Sequence, residues 1–162
     1  MVQYHAFMEV SFAYSPGKGF VSTVDGKPEV ILRDPNKDDN ANYSPTEFQL
    51  LAMGGCSSAD IVTILPKMRV AYDKFSCTVE GYRHDEHPKT LKFVNIKYNL
   101  TGGPDPEKVR KAINLSLTKY CHVSILARRG GTDLRYTLII DGEVVDEKKE
   151  PQDPGTVNEL KH

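Results

Sequence analysis

The sequence of 162 residues predicts an α+β fold built mainly from antiparallel strands. Short segments with apolar residues at every second position indicate strands, and two longer segments with apolar residues at helical spacing indicate helices. In chain order, strands come first, followed by a long helix, more strands, a second helix and a last strand. Strands and helices that are segregated along the chain in this way are typical of the α+β class.

Length and composition narrow the possible functions. With 39% hydrophobic and 27% charged residues, the chain has the composition of one soluble domain. Its formal net charge is −1, whereas a nucleic-acid-binding domain is usually basic. The sequence contains no run of 18 apolar residues, so we predict no membrane-spanning helix. The N-terminus lacks the pattern of a secretory signal. We therefore expect a cytoplasmic protein that binds neither nucleic acid nor membranes.

The first part of the chain predicts strands joined by turns. Residues 4–14 mix apolar and polar positions as in a strand. Two β-branched runs, 20–24 and 29–32, flank Asp25-Gly26, and this dipeptide favours a hairpin. The polar segment 33–43 is predicted to be a loop.

A long helix is predicted to begin at Ser44. Ser44 can cap the helix, Pro45 suits its first position, and Glu47 completes a capping box with Ser44. Apolar residues then recur on most faces up to Met68, which indicates a buried central helix. Each glycine of Gly54-Gly55 costs roughly 1 kcal/mol relative to Ala in a helix. Either the helix breaks there, or another backbone approaches it closely.

The second half of the chain predicts two strands, a second packed helix and a final strand. Segments 76–82 and 94–100 alternate apolar and polar residues. Asp105-Pro106-Glu107 supplies the cap, the first-position proline and the acidic first turn of a helix. The apolar face of this helix continues to Cys121, and residues 134–140 form the last strand.

The C-terminal segment differs from the rest of the chain. From residue 146 to 162 the sequence has no periodicity and many charged residues. Segments of this composition rarely bury enough apolar surface to fold. We therefore expect one domain over residues 1–145 and a flexible charged tail over residues 146–162.

The three cysteines are the first candidates for reactive residues. Their odd number without a Cys-x-x-C pair does not indicate a disulfide framework or a zinc site, and we predict no metal and no cofactor. If the helix restarts at Gly54-Gly55, the positive end of the helix dipole would stabilise the Cys56 thiolate. Such stabilisation lowers the pKa of a thiol. The alternative interpretation is that Cys56 is an unreactive, small apolar residue packed in the core. Cys121 faces the core, where it could meet a thiol from the other helix or simply pack. Cys77, on an apolar strand face, is interpreted as structural.

Histidines offer two further possibilities. His122 follows Cys121 and could act as a base, although adjacent residues on a helix point about 100° apart. His84 and His87 could bind a metal, but their segment is turn-like and lacks two further ligands at usable spacing. The pattern alone favours neither possibility.

A series of short motifs occurs between about residue 44 and residue 125. They are Ser44-Pro45-Thr46-Glu47-Phe48, Leu50-Leu51-Ala52, Gly54-Gly55-Cys56, Val62-x-Ile64-Leu65-x-Lys67-Met68-Arg69, Glu86-His87-Pro88-Lys89, Ala112-Ile113-x-Leu115-Ser116 and Lys119-Tyr120-Cys121-x-Val123-Ser124. With these motifs the segment resembles the OsmC/Ohr family of osmotically inducible and organic hydroperoxide resistance proteins. Cys56 and Cys121 each lie within their own motif and in order, which makes the resemblance specific.

The resemblance implies an intertwined α+β homodimer with two active sites at the subunit interface. It also implies thiol-dependent reduction of a small-molecule organic hydroperoxide, with Cys56 as the peroxidatic cysteine and Cys121 as the resolving one. The Cys56 thiolate would become a sulfenic acid, and Cys121 would convert this acid to a disulfide. A dithiol reductant would then reopen the disulfide by exchange.

The chain departs from the family pattern at the carboxylate that follows the motif proline. The family's Glu, which holds the Arg that activates the thiolate, corresponds to Thr46, and Glu47 comes one residue later. The implied activating cation is Arg33, with Lys18 as the alternative. The Gly-Gly-Cys motif is nearer to the OsmC-like branch of the family. A dimer that binds a small apolar ligand and a thiol redox sensor are alternatives to the peroxidase.

Overall fold

The structure is a computed structural model that describes residues 8–38 and 41–155. The chain divides into two compact units, Met1–Gln49 and Leu50–His162. The boundary between them lies within the first helix, α1 (Pro45–Lys67), and each unit has its own sheet.

The first unit contains a three-stranded antiparallel sheet in the order β1-β2-β3. Its strands are β1 (Ala13–Ser15), β2 (Gly19–Ser22) and β3 (Val30–Leu32). The hairpin predicted around Asp25-Gly26 is confirmed, since β2 and β3 pair across it. The strand predicted over residues 4–14 is wrong for residues 8–12, which lie before β1, since the pairing of β1 with β2 begins at Ala13 and Val21. Residues 1–7 lie outside the described part.

The beginning of α1 in the first unit has the predicted capping box. Ser44 Oγ accepts a hydrogen bond from the Glu47 backbone N–H at 3.2 Å, and the Glu47 carboxylate accepts one from the Ser44 N–H at 2.7 Å. Two backbone donors at the helix N-terminus are satisfied by this reciprocal pair. Short-range sequence spacing is therefore sufficient to fix where α1 begins.

The second unit contains a four-stranded sheet in the order β4-β5-β6-β7. Its strands are β4 (Lys74–Arg83), β5 (Leu91–Thr101), β6 (Asp133–Ile140) and β7 (Glu143–Lys149). The pairs β4–β5 and β6–β7 are antiparallel, and β5–β6 is parallel. The α+β class with mainly antiparallel pairing is confirmed.

A buried apolar core joins the helices of the second unit to one face of its sheet. α1 contributes Ile61 and Leu65, and α2 (Pro106–Leu115) contributes Ile113. The alternating residues predicted to face the core from β5 are fully buried, among them Ile96 and Tyr98. This core fixes the distance between α1 and the segment that follows α2, and both of these carry a cysteine.

The glycine pair does not break α1, which is continuous over 23 residues. A Cβ on Gly54 would lie 2.8 Å from Val79 Cγ2 and 3.4 Å from Cys77 Sγ, both on β4. Side chains of β4 therefore approach α1 at Gly54, whereas the sequence analysis predicted a helix break or the close approach of another backbone. A Cβ on Gly55 would meet nothing within 4 Å.

In the single chain, α1 buries one face and exposes another. Met53, Ser57 and Ile61 are buried, whereas Leu51 is 51% and Val62 is 36% exposed. By length and composition α1 is the one helix of the described residues that could cross a membrane, with a mean hydropathy of 1.4 over 18 residues. Core helices of soluble proteins meet the same criteria, and the buried face of α1 is part of the core.

The second helix ends earlier than predicted. Asp105 caps α2 by accepting a hydrogen bond from the Glu107 N–H at 2.9 Å, as the sequence predicts. A π-helical turn (Ser116–Tyr120) then follows, and a third helix, α3 (His122–Arg129), begins after Cys121. A single α-helix up to Cys121 is therefore wrong, but the predicted core face is confirmed except at Tyr120, since its other residues are fully buried. The wider turn brings the Cys121 N–H to Ser116 O at 2.8 Å and leaves Tyr120 exposed.

The predicted C-terminal tail begins as a strand. Residues 146–149 continue β7, and Asp146 is buried against the guanidinium of Arg110 on α2, with 2.7 Å between Nε and Oδ2. The prediction of a flexible tail is wrong for these residues, because this ion pair allows a charged segment to join the sheet. Residues 156–162 lie outside the described part, and the single domain over residues 1–145 stays a prediction.

Candidate active site

Cys121 lies at the break between the π-helical turn and α3. Its backbone is extended, with φ −73° and ψ 91°, and its Sγ accepts the Ser124 N–H at 3.5 Å as the N-cap of α3. The same sulfur lies 3.1 Å from Ser124 Oγ and 4.0 Å from the Met53 carbonyl oxygen on α1. The side chain is fully buried. The unpredicted break in the helix thus directs this thiol toward α1.

Cys56 lies in the middle of α1 and is half-buried. The predicted advantage of a helix N-terminus is wrong for this residue, because α1 is continuous and the dipole acts within the first turn. Cys121 instead occupies a helix N-terminus, that of α3. Access to solvent, rather than the helix dipole, distinguishes Cys56 from Cys121.

The two cysteines lie along the same part of α1. Cys121 Sγ lies 4.0 Å from the carbonyl oxygen of Met53, three residues before Cys56. Burial raises the pKa of the Cys121 thiol to about 11; hydrogen bonds from Ser124 oppose the shift, and the neighbouring Cys56 adds to it. Cys121 is therefore a protonated thiol at neutral pH, and its reaction with Cys56 stays a prediction.

His122, the first residue of α3, completes this group. Its Nδ1 lies 3.9 Å from Cys56 Sγ, within hydrogen-bond distance for sulfur, and its ring is exposed. The sequence interpretation considers His122 as a base for Cys121 and disfavours it because adjacent residues diverge. That divergence is what brings His122 to Cys56 while Cys121 turns inward. The sequence analysis could not pair His122 with Cys56, because it did not predict the break after Tyr120.

Buried hydroxyl groups fix α1 beside this group. Tyr98 on β5 donates to Ser57 Oγ at 2.7 Å, and Ser57 Oγ donates to the Met53 carbonyl at 2.9 Å. One turn later, Asp60 accepts a hydrogen bond from Ser116 Oγ of the π-helical turn at 2.8 Å. These bonds flank Cys56 on both sides along α1. They hold its backbone against the sheet and against the turn that leads to Cys121.

Arg33 and Glu47 meet in the first unit. Arg33 Nη2 lies 3.3 Å from Glu47 Oε2, and Arg33 Nε donates to the Asn42 carbonyl at 3.3 Å. The hydrogen bonds of Ser44 lower the pKa of Glu47, and Arg33 lowers it further. Glu47 therefore both completes the capping box and holds Arg33. The alternative cation, Lys18, pairs with Glu29 at 3.1 Å in the same unit.

The remaining candidates of the sequence analysis are Cys77, His84 and His87. Cys77 faces Gly54 from β4, and burial raises the pKa of its thiol. His84 and His87 are exposed between β4 and β5. Among the described residues, no group of three or more His, Cys, Asp or Glu is placed to hold a metal ion.

The chain belongs to the OsmC family, since the sequence model of OsmC-like proteins matches residues 37–146. Protein YhfA of Escherichia coli (strain K12) is 37% identical over 102 residues, which are 61% of this chain and 74% of YhfA. The family predicted from the motifs is therefore confirmed.

Solved structures share the fold. A hypothetical protein from Aquifex aeolicus VF5 superposes with a TM-score of 0.71 and 26% identity, over 82% of this chain and 95% of that one. A protein from Legionella pneumophila, described as an organic hydroperoxide resistance protein OsmC and predicted redox protein, superposes with a TM-score of 0.63. It is 17% identical and covers 83% of this chain and 98% of its own, so it shows the fold alone.

Proposed function

We propose that this protein is a thiol-dependent peroxidase that reduces organic hydroperoxides. The observation that carries the proposal is that a partly exposed Cys56 and a fully buried Cys121 lie beside the same part of α1. Cys121 Sγ lies 4.0 Å from the Met53 carbonyl oxygen, and the next residue, His122, has its Nδ1 3.9 Å from Cys56 Sγ. A substrate can reach the first thiol, and the second would react with the product formed there. Membership of a family in which some proteins are described as organic hydroperoxide resistance or redox proteins supports the same reaction.

The first proposed step is attack by the Cys56 thiolate on the terminal oxygen of the hydroperoxide. A sulfur–oxygen bond forms, the oxygen–oxygen bond breaks, and the alkoxide leaves and takes up a proton to become the alcohol. The sulfur loses two electrons and becomes a sulfenic acid, and the peroxide gains them. A thiol that is buried like Cys121 is poorly placed for this attack, because the substrate would have to enter the core.

The second proposed step consumes the sulfenic acid. The Cys121 sulfur attacks Cys56 sulfur, the disulfide forms, and hydroxide leaves as water with the Cys121 proton. A dithiol reductant then restores both thiols by two exchange reactions and is itself oxidised to a disulfide. The roles of Arg33 and Glu47, as a cation that favours the thiolate and the carboxylate that holds it, stay predictions of the family resemblance.

The proposed assembly is a cytoplasmic homodimer. The exposed apolar face of α1, which includes Leu51 and Val62, is a surface that a second copy would cover. Sedimentation at micromolar concentration should show a dimer, and a stable folded monomer would contradict this part of the proposal.

Cumene hydroperoxide with dithiothreitol tests the activity. Wild-type protein should consume the peroxide with many turnovers, Cys56→Ser should consume none, and Cys77→Ser, which lacks a thiol outside the proposed reaction, should match wild type. If wild type shows no dithiol-dependent loss of any organic hydroperoxide, the peroxidase proposal is wrong. A redox sensor is then the second candidate, because Cys121 caps α3 and its oxidation would change the start of that helix.

A further inference from the structure

The geometry of the Cys56–His122 pair indicates a role for the imidazole. Cys56 Sγ has His122 Nδ1 at 3.9 Å, and the two residues come from different helices, α1 and α3. The ring is exposed, so its other nitrogen, Nε2, can exchange protons with water. A thiol that contacts an imidazole can pass its proton to it, which produces the reactive thiolate.

We propose that His122 is a catalytic residue that accepts the proton of the Cys56 thiol and returns it to the leaving alkoxide. The second half of this role rests on the proposed peroxidase function. Before the reaction, Sγ–H donates to Nδ1; after proton transfer, Nδ1–H donates to the thiolate. When the oxygen–oxygen bond breaks, the imidazolium gives this proton to the alkoxide, and the neutral ring is restored. The proton taken from sulfur thus leaves with the alcohol, and no further acid is needed.

Among the described residues, titratable groups on α1 and on the elements packed against it have contacts other than the Cys56–His122 pair. Asp60, one turn after Cys56, accepts a hydrogen bond from Ser116 Oγ, and Tyr98 donates from β5 to Ser57. Cys121 is buried beneath the start of α3, and its Sγ is bonded to Ser124. Cys77 approaches α1 from β4 at Gly54. An imidazole is also the side chain whose charge ordinarily changes between pH 5 and 8.

The position of His122 makes the proposal testable without disturbing the fold. His122 is exposed at the first position of α3, so an asparagine there leaves the core intact. The matched control is His84→Asn, which changes the same residue type at an exposed position between β4 and β5. Iodoacetamide is a suitable probe, because it reacts with the thiolate and needs no peroxide.

The experiment measures the alkylation rate of Cys56 by peptide mapping of the reduced full chain between pH 5 and 9. At pH 7, His122→Asn should react about tenfold more slowly than wild type and lose the step in the pH range where imidazole titrates. His84→Asn should match wild type. Free imidazole should restore part of the rate to His122→Ala, which a merely structural role of His122 would not produce.

Two results would overturn the proposal. One is a His122→Asn protein that alkylates Cys56 with the rate and pH profile of wild type. The other is peroxide turnover that is unchanged in His122→Asn, which would refute the catalytic role and leave the peroxidase proposal intact. If instead alkylation depends on His122 but no variant consumes peroxide, the proton transfer from Cys56 stands and the peroxidase proposal fails.

Discussion

The middle of α1 and the junction between α2 and α3 each contain one cysteine of the candidate site, but the helix is continuous in the first region and broken in the second. α1 carries two adjacent glycines and remains continuous, and Cys56 stays half-exposed. The junction breaks at residues without glycine or proline, and Cys121 becomes a buried helix cap. The comparison teaches that a glycine pair in a helix can mark close packing, whereas a π-helical turn can end a helix without the usual signals.

The difference between the two regions assigns different chemistry to the two thiols. Cys56 has an exposed imidazole beside it, and Cys121 has two polar groups of Ser124 and a carbonyl oxygen of α1. A thiol that attacks a substrate needs access and a proton acceptor. A thiol that resolves the product needs only to be close to the first sulfur and protected from other oxidants.

Removing the buried thiol should break the catalytic cycle after one turnover. Cys121→Ser keeps Cys56 and His122, so the protein should consume about one equivalent of cumene hydroperoxide and then stop or over-oxidise at Cys56. Stoichiometric peroxide assays and the mass of the Cys56 peptide measure this. Sustained turnover of Cys121→Ser with dithiothreitol would show that Cys121 is not the resolving cysteine.

The reactivity order of the thiols sharpens the same comparison. Cys56 should be alkylated at least about tenfold faster than Cys77, and Cys121 should be slowest, because reactivity follows thiolate fraction and access. The interpretation of Cys77 as structural, made from the sequence, would make Cys77 the least reactive thiol, but Cys121 is fully buried and burial raises its pKa to about 11. Timed alkylation of the native reduced protein gives the order. Modification of Cys121 before Cys56 would contradict the burial argument.

The two glycines of α1 should respond oppositely to alanine. Gly54→Ala places a Cβ 2.8 Å from Val79 Cγ2, and such overpacking should lower the free energy of unfolding by about 1–3 kcal/mol. Gly55→Ala meets nothing within 4 Å in the chain and should raise it by up to about 1 kcal/mol. Urea unfolding of both variants measures the difference. Equal effects would mean that β4 does not approach α1 at Gly54 as the structure has it.

Much of the fold can be predicted from the sequence because its signals are local. The capping box at Ser44 and Glu47, the Asp105 cap and the alternation in β5 each depend on residues within one turn or one strand. The charged strand β7 could not be predicted, because its burial depends on the pairing of Asp146 with Arg110 from a distant helix.

The candidate site shows the same limit. The motifs identify Cys56 and Cys121. The side chains that contact the two sulfurs depend on the break after Tyr120, and no glycine or proline in the sequence predicts this break. Glu47 could be predicted to cap α1, whereas its ion pair with Arg33 depends on the loop that brings β3 back to the helix.

The smallest expected effect concerns Cys121 as the cap of α3. Its Sγ accepts the Ser124 N–H, and a serine at this position can accept the same bond. Alanine cannot, so Cys121→Ala should be about 1 kcal/mol less stable to urea than Cys121→Ser. Both variants remove the thiol, so redox chemistry does not contribute to the difference. If Cys121→Ala is as stable as Cys121→Ser, the sulfur fills space at the junction without capping α3. The break after Tyr120 would then be held by packing of the π-helical turn alone.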